Sequence, residues 1–196
     1  DLKPGNILID NDGNAHVVDF GLAKDIAVKG DITKTGHLLG TPAYMSPEQV
    51  KGEPEKIGEA TDIFALGVIL YEALTGRSPF ERSSLVETMQ AVINDDPVPP
   101  RKLNPKVPKD LEIICMKALS KEPERRYSTA RAMLEDLERF EEGRPIRARS
   151  PGMPYKLARF VKRNFPTVTA LAASFAIILV TLAAVLPPFV EKVKTD

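Results

Sequence analysis

The strongest constraint on the fold comes from two short apolar runs near the start of the chain that are separated by turn-forming residues. The first run is Ile7-Leu8-Ile9 and the second extends from Ala15 to Val18, with Asp10-Asn11-Asp12-Gly13 between them. This pattern predicts a β-hairpin. A calcium-binding loop is the weaker interpretation of the turn, because the full alternating ligand series and the closing Glu of such loops are absent from the sequence.

The predicted hairpin brings polar residues together at one end. In an antiparallel pair, the start of the first strand lies beside the end of the second. Asn6 precedes the first run and Asp19 follows the second, while Asp1 and Lys3 lie just before Asn6. We therefore expect two carboxylates, an amide oxygen and an ammonium group to converge there. Oxygen ligands of this kind suit Mg²⁺, which takes one or two protein ligands together with phosphate oxygens.

These residues also carry a family resemblance. The run from Asp1 to Asn6, followed by Asp19-Phe20-Gly21, resembles the catalytic loop and the metal-binding triplet of the protein kinase family. The resemblance implies that Asp1 is the catalytic base and that Lys3 neutralises charge on the transferring phosphoryl group. It also implies ATP as a cofactor, with Asn6 and Asp19 holding Mg²⁺, or alternatively Mn²⁺.

A second motif resembles the end of a kinase activation segment. It extends from Gly40 through Thr41-Pro42 to Ser46-Pro47-Glu48. By resemblance, Thr41 hydrogen-bonds the catalytic Asp and Lys, which points to Ser or Thr substrates. Thr33 and Thr35, upstream of Gly40, occupy the region where bacterial relatives carry autophosphorylation sites. The alternative is that both are ordinary solvated threonines of a loop.

Helical patterns dominate the middle of the chain. The stretch 61–76 is apolar all round, which predicts a buried helix ended by Gly76. Further helices are predicted over 84–94, 109–119 and from a Ser128 cap to about residue 142, with a Pro-rich connector between the first two. The predicted fold class is therefore mainly α, resembling a protein-kinase C-terminal lobe with a small β-hairpin.

The family resemblance assigns three structural roles in this helical part. Asp62 would bond to the backbone of the catalytic loop and hold the loop in place. Arg126 would pair with Glu48 and so fix the end of the activation segment to the helical lobe. A partly buried ion pair of this kind costs about 3–5 kcal/mol to break on one side.

Composition excludes several other classes of protein. The 196 residues contain 27 basic and 27 acidic side chains, so the net charge is zero and gives no indication of a nucleic-acid partner. The single cysteine, Cys115, lies in an apolar helical stretch and is predicted to be a buried structural thiol rather than part of a disulfide. His16 and His37 do not have the spacing of a zinc site.

The C-terminal part of the chain has the pattern of a membrane segment. No charged residue occurs from Phe165 to Val190, and Val168–Leu186 is almost continuously apolar before Pro187-Pro188. About 20 helical residues span the hydrocarbon core of a bilayer. The alternative is a buried helix of a soluble core. Basic residues are concentrated before the span, which predicts a cytoplasmic lobe and an external C-terminus.

Together these features predict a kinase C-lobe at 1–142, a basic juxtamembrane linker at 143–166, a transmembrane helix at 167–187 and an external tail at 188–196. The arrangement resembles bacterial (Hanks-type) single-pass transmembrane Ser/Thr protein kinases at the cell membrane. We expect protein substrates with Ser or Thr hydroxyls, contact of the basic linker with membrane lipid, and a kinase dimer as a further partner state.

The expected function is transfer of the ATP γ-phosphate to protein hydroxyls. The sequence lacks the family's Gly-rich phosphate loop, strand lysine and helix glutamate, so we expect these residues alone to be nearly inactive, as a fragment that starts at the catalytic-loop Asp. The alternatives are a non-catalytic kinase-like membrane adaptor and a structural membrane anchor. Intact Asp1, Lys3, Asn6, Asp19 and Thr41 argue against both.

Overall fold

The structure is a computed structural model, which describes residues 2–19 and 42–149, together with 161, 164, 165, 169 and 174. The chain divides into two compact units. The first contains residues 1–140 and 146–149, and the second contains residues 141–145 and 150–196. The predicted site residues Asp1, Thr33, Thr35 and Thr41 lie outside the described residues, as does nearly all of the predicted span.

The first unit begins with the predicted hairpin. A 3-10 turn at Pro4–Asn6 leads into β1 (Ile7–Ile9), which pairs antiparallel with β2 (Ala15–Val17). Ile7 lies opposite Val17, and Ile9 lies opposite Ala15. The sequence-based prediction of a hairpin is thus confirmed.

The turn of the hairpin is organised by the carboxylate of Asp10. Its Oδ1 accepts hydrogen bonds from the backbone N–H groups of Asp12 (3.0 Å) and Asn14 (2.8 Å), and its Oδ2 is 2.8 Å from Nε2 of His16. Gly13 adopts φ 86°, which a residue with a side chain rarely does. Hydrogen bonds to His16 and Asn14 lower the pKa of Asp10 to about 2.

Six α-helices follow in the described part of the chain, and they confirm the predicted, mainly helical class. They are α1 (Pro47–Lys51), α2 (Glu59–Thr75), α3 (Leu85–Asn94), α4 (Pro100–Leu103), α5 (Lys109–Ala118) and α6 (Ala130–Glu141). Gly76 ends α2 in the left-handed conformation, as predicted, and Ser84 caps α3. The predicted Ser128 cap of the last helix is wrong, because the side chain of Thr129 accepts the hydrogen bond from the N–H of Ala132.

The core lies on both sides of α2. On one side, Phe64 and Phe80 stack with ring centroids 5.7 Å apart, and they pack with Val68, Tyr71 and Cys115. The predicted buried thiol is confirmed, since Cys115 is fully buried and its Sγ lies 3.6 Å from the carbonyl oxygen of Gly67. On the other side, a second cluster of buried residues joins α2, α5 and α6; it contains Ile63, Ile114, Ala118, Tyr127, Met133 and Ile146.

The helices α2 and α5 approach each other closely at Gly67. A Cβ atom placed on Gly67 would lie 2.9 Å from the Cβ of Ala118 and 3.2 Å from that residue's backbone carbonyl carbon. Both separations are shorter than ordinary van der Waals contact, so the absence of a side chain at position 67 allows the two backbones to pack.

The first unit extends further along the chain than the sequence predicts. The predicted boundary of the lobe is residue 142, yet residues 146–149 belong to the same compact unit as the helices. Ile146 is 2 % exposed within the second core cluster. Four residues assigned to the linker on sequence grounds therefore pack as part of the lobe.

Of the predicted membrane helix, only isolated positions are described. At one of them, the Thr169 hydroxyl donates a 2.9 Å hydrogen bond to the carbonyl oxygen of Phe165, one helical turn earlier. Across the residues that the structure describes, we find no helix with the length and apolar character needed to cross a bilayer.

Candidate active site

The hairpin places the backbones of the predicted metal ligands at one end. The N–H of Val18 donates a 2.8 Å hydrogen bond to the carbonyl oxygen of Asn6, so Asp19 follows directly after the residue bonded to Asn6. The N–H of Asn6 in turn donates to the carbonyl oxygen of Lys3 at 2.9 Å. The structure thus brings Lys3, Asn6 and Asp19 to the same end of the hairpin.

Asp19 has an unusual backbone conformation. Its φ is 56°, the only positive φ among the non-glycine residues that the structure describes. This left-handed region costs an L-residue roughly 1–2 kcal/mol, although Asp tolerates it better than most. Asp19 is exposed, whereas Asn6 is only 6 % exposed. Asp19 thus carries an exposed carboxylate and directly follows Val18, which is hydrogen-bonded to the backbone of the buried Asn6.

The donor chemistry of this end fits a divalent cation that also binds phosphate. Amide and carboxylate oxygens are the ligands Mg²⁺ takes from proteins, with phosphate oxygens and water completing the shell. Within residues 2–19 and 42–149, no three His, Cys, Asp or Glu side chains cluster as a metal site. Asn6 and Asp19 are the residues at this end that could hold such an ion.

A small cavity connects the start of the chain to the segment before α1. Its lining residues are Leu2, Tyr44, Met45, Gln49, Thr61, Asp62 and Ala65. Asp62 is exposed and shares this cavity with Leu2, the neighbour of the predicted base. Its predicted bond to the loop backbone is not among the hydrogen bonds of the described residues, and Asp1 lies outside them, so that role stays a prediction.

The structure brings Glu48 and Arg126 together, as the family resemblance implied. Both guanidinium ends donate to the carboxylate, from Nη1 to Oε1 and from Nη2 to Oε2, each at 2.8 Å. The two side chains are 2 % and 0 % exposed. The Thr61 hydroxyl adds a further 2.9 Å hydrogen bond to Oε1. The buried carboxylate of Glu48, at the start of α1, is thereby bonded both to Arg126 and to Thr61 at the start of α2.

All five N–H donors of Arg126 find acceptors. Besides the two bonds to Glu48, its Nε donates to Ser120 at 2.8 Å, Nη1 to Ala60 at 2.7 Å and Nη2 to Lys121 at 2.9 Å, in each case to the backbone carbonyl oxygen. The guanidinium carbon also lies 5.0 Å from the centroid of the Phe64 ring. Complete pairing of this kind is what makes a buried arginine tolerable.

The pKa of Glu48 reflects a competition between burial and hydrogen bonding. Burial alone would raise the pKa of this carboxyl group, but the hydrogen bonds from Arg126, the hydrogen bonds from Ser46 and the backbone, and the positive charge of Arg126 together outweigh burial and hold the pKa at about 2. The carboxylate therefore stays ionised at every physiological pH. A fixed charge at this position anchors the end of the segment that precedes α1.

A further contact of this segment was not foreseen from the sequence. The Tyr44 hydroxyl donates a 2.8 Å hydrogen bond to Oε2 of Glu72 on α2. Burial and the nearby Glu72 carboxylate both raise the pKa of Tyr44, which keeps the phenol protonated. Neither residue carries a local signal, because the two lie 28 positions apart and meet only through the fold.

The comparisons with known proteins now decide the family. A family model described as the protein kinase domain matches residues 1–137. The chain belongs to the protein kinase domain family. The match covers the hairpin, the Glu48–Arg126 pair and the helices α1 to α5.

Bacterial kinases are among the most similar curated proteins. The serine/threonine-protein kinase PknB of Mycobacterium leprae is 40 % identical over 148 residues, which is 76 % of this chain and 24 % of that protein. PknB of Mycolicibacterium smegmatis is 41 % identical over 144 residues, which is 73 % of this chain and 23 % of that protein. The tyrosine-protein kinase MasK of Myxococcus xanthus is 37 % identical over 183 residues, which is 89 % of this chain and 28 % of that protein. The chain thus spans about a quarter of the length of the curated relatives it matches.

Proposed function

We propose that this chain is part of a protein kinase that transfers the γ-phosphate of ATP to Ser and Thr hydroxyls of proteins. The observation that carries the proposal is the open end of the hairpin, where the N–H of Val18 donates to the carbonyl oxygen of Asn6 and Asp19 follows Val18 in the chain. An amide oxygen, a carboxylate and the nearby Lys3 are the groups that phosphoryl transfer requires at one point.

In this proposal the residues divide the work between proton transfer and charge stabilisation. Asp1 orients the substrate hydroxyl and accepts its proton. The Lys3 ammonium stabilises the negative charge that spreads over the transferring phosphoryl oxygens. Mg²⁺ bound by Asn6 and Asp19, or Mn²⁺ in its place, would neutralise the phosphate oxygens of ATP. Thr41 would hold Asp1 and Lys3 in position, and Thr33 and Thr35 would accept regulatory phosphates.

The buried pair of Glu48 and Arg126 gives the proposal a second line of support. A substrate hydroxyl reacts only when it is held within a few tenths of an ångström of its productive position. Glu48 lies seven positions after Thr41, and its carboxylate is fixed to α2 and to the Ser120–Arg126 segment. This anchor limits how far the residues before it can move.

The choice between Ser/Thr and Tyr substrates rests on Lys3 and Thr41. The relatives named serine/threonine kinases favour the first class, whereas the likeness to MasK makes tyrosine the competing outcome. A non-catalytic adaptor is the other alternative. An adaptor would not transfer phosphate, so turnover by the complete protein separates it from a kinase.

We also propose that the kinase is anchored in the cell membrane by one helix at 167–187, with the lobe in the cytoplasm. The uncharged stretch and the preceding basic residues support this proposal. A cysteine placed at position 193, after the span, should be labelled from outside intact cells, whereas one at position 53 should not. Labelling of both, or of position 53 alone, would contradict this topology.

The metal site can be tested on this chain directly. Mn²⁺ should broaden the NMR amide signals of residues around Asn6 and Asp19, and Asp19→Asn should weaken Mn²⁺ binding by at least about tenfold, the equivalent of about 1.4 kcal/mol. The matched control is Asp12→Asn, which neutralises an exposed carboxylate at the opposite end of the same hairpin. Equal effects of the two variants would refute the metal assignment.

Phosphotransfer is best measured on a chain of the length of the relatives, which are about three times as long as this one. With ATP and a generic protein substrate, we expect phosphoserine and phosphothreonine, and loss of turnover in Asp1→Asn. Phosphotyrosine alone would move the protein to the other substrate class. No turnover by the complete wild-type protein, despite metal binding, would favour the adaptor.

A further inference from the structure

Residues Ile146–Arg149, here named the clasp, pack with the helices of the first unit although residues 141–145 and 150–196 do not belong to that unit. We propose that the clasp is a releasable tether that docks onto the lobe within the same chain. When docked, it holds residues 146–149 against the helices of the first unit. The proposal concerns this chain's own fold and does not depend on phosphotransfer.

The backbone of the clasp is held by a buried carboxylate on α6. Asp136 is fully buried and accepts hydrogen bonds from the N–H of Arg147 to Oδ1 at 2.6 Å and from the N–H of Ala148 to Oδ2 at 2.8 Å. Its Oδ2 also accepts a bond from the Tyr127 hydroxyl at 3.1 Å. Consecutive backbone N–H groups bound by one carboxylate fix the conformation of the clasp as well as its position.

One apolar side chain anchors the clasp. Ile146 is buried in the cluster that contains Ile63, Ile114 and Met133, which come from α2, α5 and α6. Burial of an isoleucine is the largest apolar contribution that a four-residue segment of this composition can make. Placing a polar residue here should therefore release the clasp while the helices keep their own core residues.

Two ion pairs complete the docking. Nη1 of Arg147 lies 2.6 Å from Oε2 of Glu135, and Nη1 of Arg149 lies 3.3 Å from Oδ1 of the buried Asp110. The two arginine side chains are 65 % and 37 % exposed. Salt screens the exposed pair of Arg147 and Glu135, so that pair contributes little holding strength. Arg149, in contrast, compensates the charge of a buried carboxylate.

The size of these contacts makes separate release of the clasp feasible. Among them are the buried side chain of Ile146, the partly buried Ala148, two backbone hydrogen bonds and two ion pairs, whereas the core around α2 involves many more buried side chains. Proteins open locally wherever a segment contributes little buried apolar surface. The clasp should therefore open without unfolding of α2.

Native-state hydrogen exchange on the full chain tests this proposal. The amides of Arg147 and Ala148 should be protected in the wild type, and at low urea concentrations their exchange should depend less on urea than that of α2 amides such as Val68. Ile146→Ser should accelerate exchange of both clasp amides by at least about tenfold while Val68 changes by less than about threefold. Asp136→Asn, which is nearly isosteric, should act in the same direction.

The matched control is Glu135→Gln, which removes the ion pairs of Glu135 with the exposed side chains of Arg147 and Arg131 and should leave clasp exchange within about threefold of the wild type. Two results would overturn the proposal. One is exchange of the wild-type clasp amides at the rate of an unstructured peptide. The other is a common urea dependence of the clasp and Val68, which would make the clasp an inseparable part of the lobe. This wild-type measurement decides the matter even where a variant fails to fold.

Discussion

Removing the guanidinium of Arg126 should be the most damaging single change to the described part of the lobe. Arg126→Met keeps an unbranched apolar stem at this position but eliminates all five donated hydrogen bonds. The Glu48 carboxylate, 2 % exposed, then keeps the hydrogen bond from Thr61 and loses its charged partner. Breaking a buried pair on one side costs about 3–5 kcal/mol, because the remaining charge is uncompensated.

The measurement is urea unfolding followed by circular dichroism at 222 nm, since the chain contains no tryptophan. In a thermal scan of a chain of this size, the same loss of about 3–5 kcal/mol in the free energy of unfolding would lower the melting temperature by about 6–20 °C. The control is Arg125→Met, at the adjacent position. Arg125 is 75 % exposed and lies 3.8 Å from Glu122, so its removal should cost less than about 0.5 kcal/mol.

The dependence on pH gives a second, independent readout. The folded pKa of Glu48, about 2, lies below its ordinary value of 4.5. The stability from its ionised form is therefore complete above pH 4.5 and is lost as the pH falls toward 2. Without Arg126, burial raises the pKa of Glu48 instead. The difference between wild type and Arg126→Met should consequently shrink as the pH falls from 7 to about 3.5.

A double-mutant cycle completes the test. In Glu48→Leu/Arg126→Met no charged group remains at this buried position. The double variant should therefore be at least about 2 kcal/mol more stable than the sum of the two single effects predicts. Additive effects would refute the reasoning, and so would a loss below about 1 kcal/mol for Arg126→Met, because either result would mean that the pair is not coupled as the structure indicates.

Two further predictions concern the core around α2. Gly67→Ala should destabilise the protein by about 1–3 kcal/mol, because the new Cβ would lie 2.9 Å from the Cβ of Ala118. This loss outweighs the higher helix propensity of alanine. A melting temperature equal to or above that of the wild type would contradict the close packing. Burial lowers the pKa of Lys121 from 10.5 to about 8, so between pH 8 and 10.5 the unfolded chain binds a proton that the folded chain has released. Over that window the free energy of unfolding of the wild type should rise relative to that of Lys121→Met. Urea titrations of both proteins at each pH measure this difference, and a difference that does not change with pH would contradict the lowered pKa of Lys121.

Sequence patterns predicted the local elements of this protein well. Turn residues at 10–13 predicted the hairpin, and the glycine at position 76 predicted the end of α2, because each depends on a few neighbouring residues. The cap of α6 was misplaced by one position. Ser128 and Thr129 have the same capping chemistry, and only the geometry of the first turn distinguishes them.

Contacts between distant residues were less predictable. The pair of Glu48 and Arg126 was expected only through a family resemblance, and its three carbonyl acceptors were not expected at all. The docking of the clasp on Asp136 depends on backbone N–H groups, which every residue except proline possesses and which leave no pattern in a sequence. Such contacts become visible only when the helices have been placed.

The hairpin that carries the proposed metal ligands has a consequence for measured affinities. The side chains of Leu8 and Ile9 are 56 % and 64 % exposed, and every residue of β2 is exposed. A two-stranded ribbon of this kind gains little free energy from burial and is marginally stable by itself. Any ligand that requires the strands to be paired must supply the remaining ordering free energy from its own binding.

An apparent dissociation constant for this site is therefore the intrinsic constant divided by the fraction of molecules in which the hairpin is folded. Changes far from the ligands, such as a better turn at 10–14, would tighten binding without any new contact. Calorimetry would detect this linkage as an additional unfavourable entropy that disappears once the hairpin is stabilised.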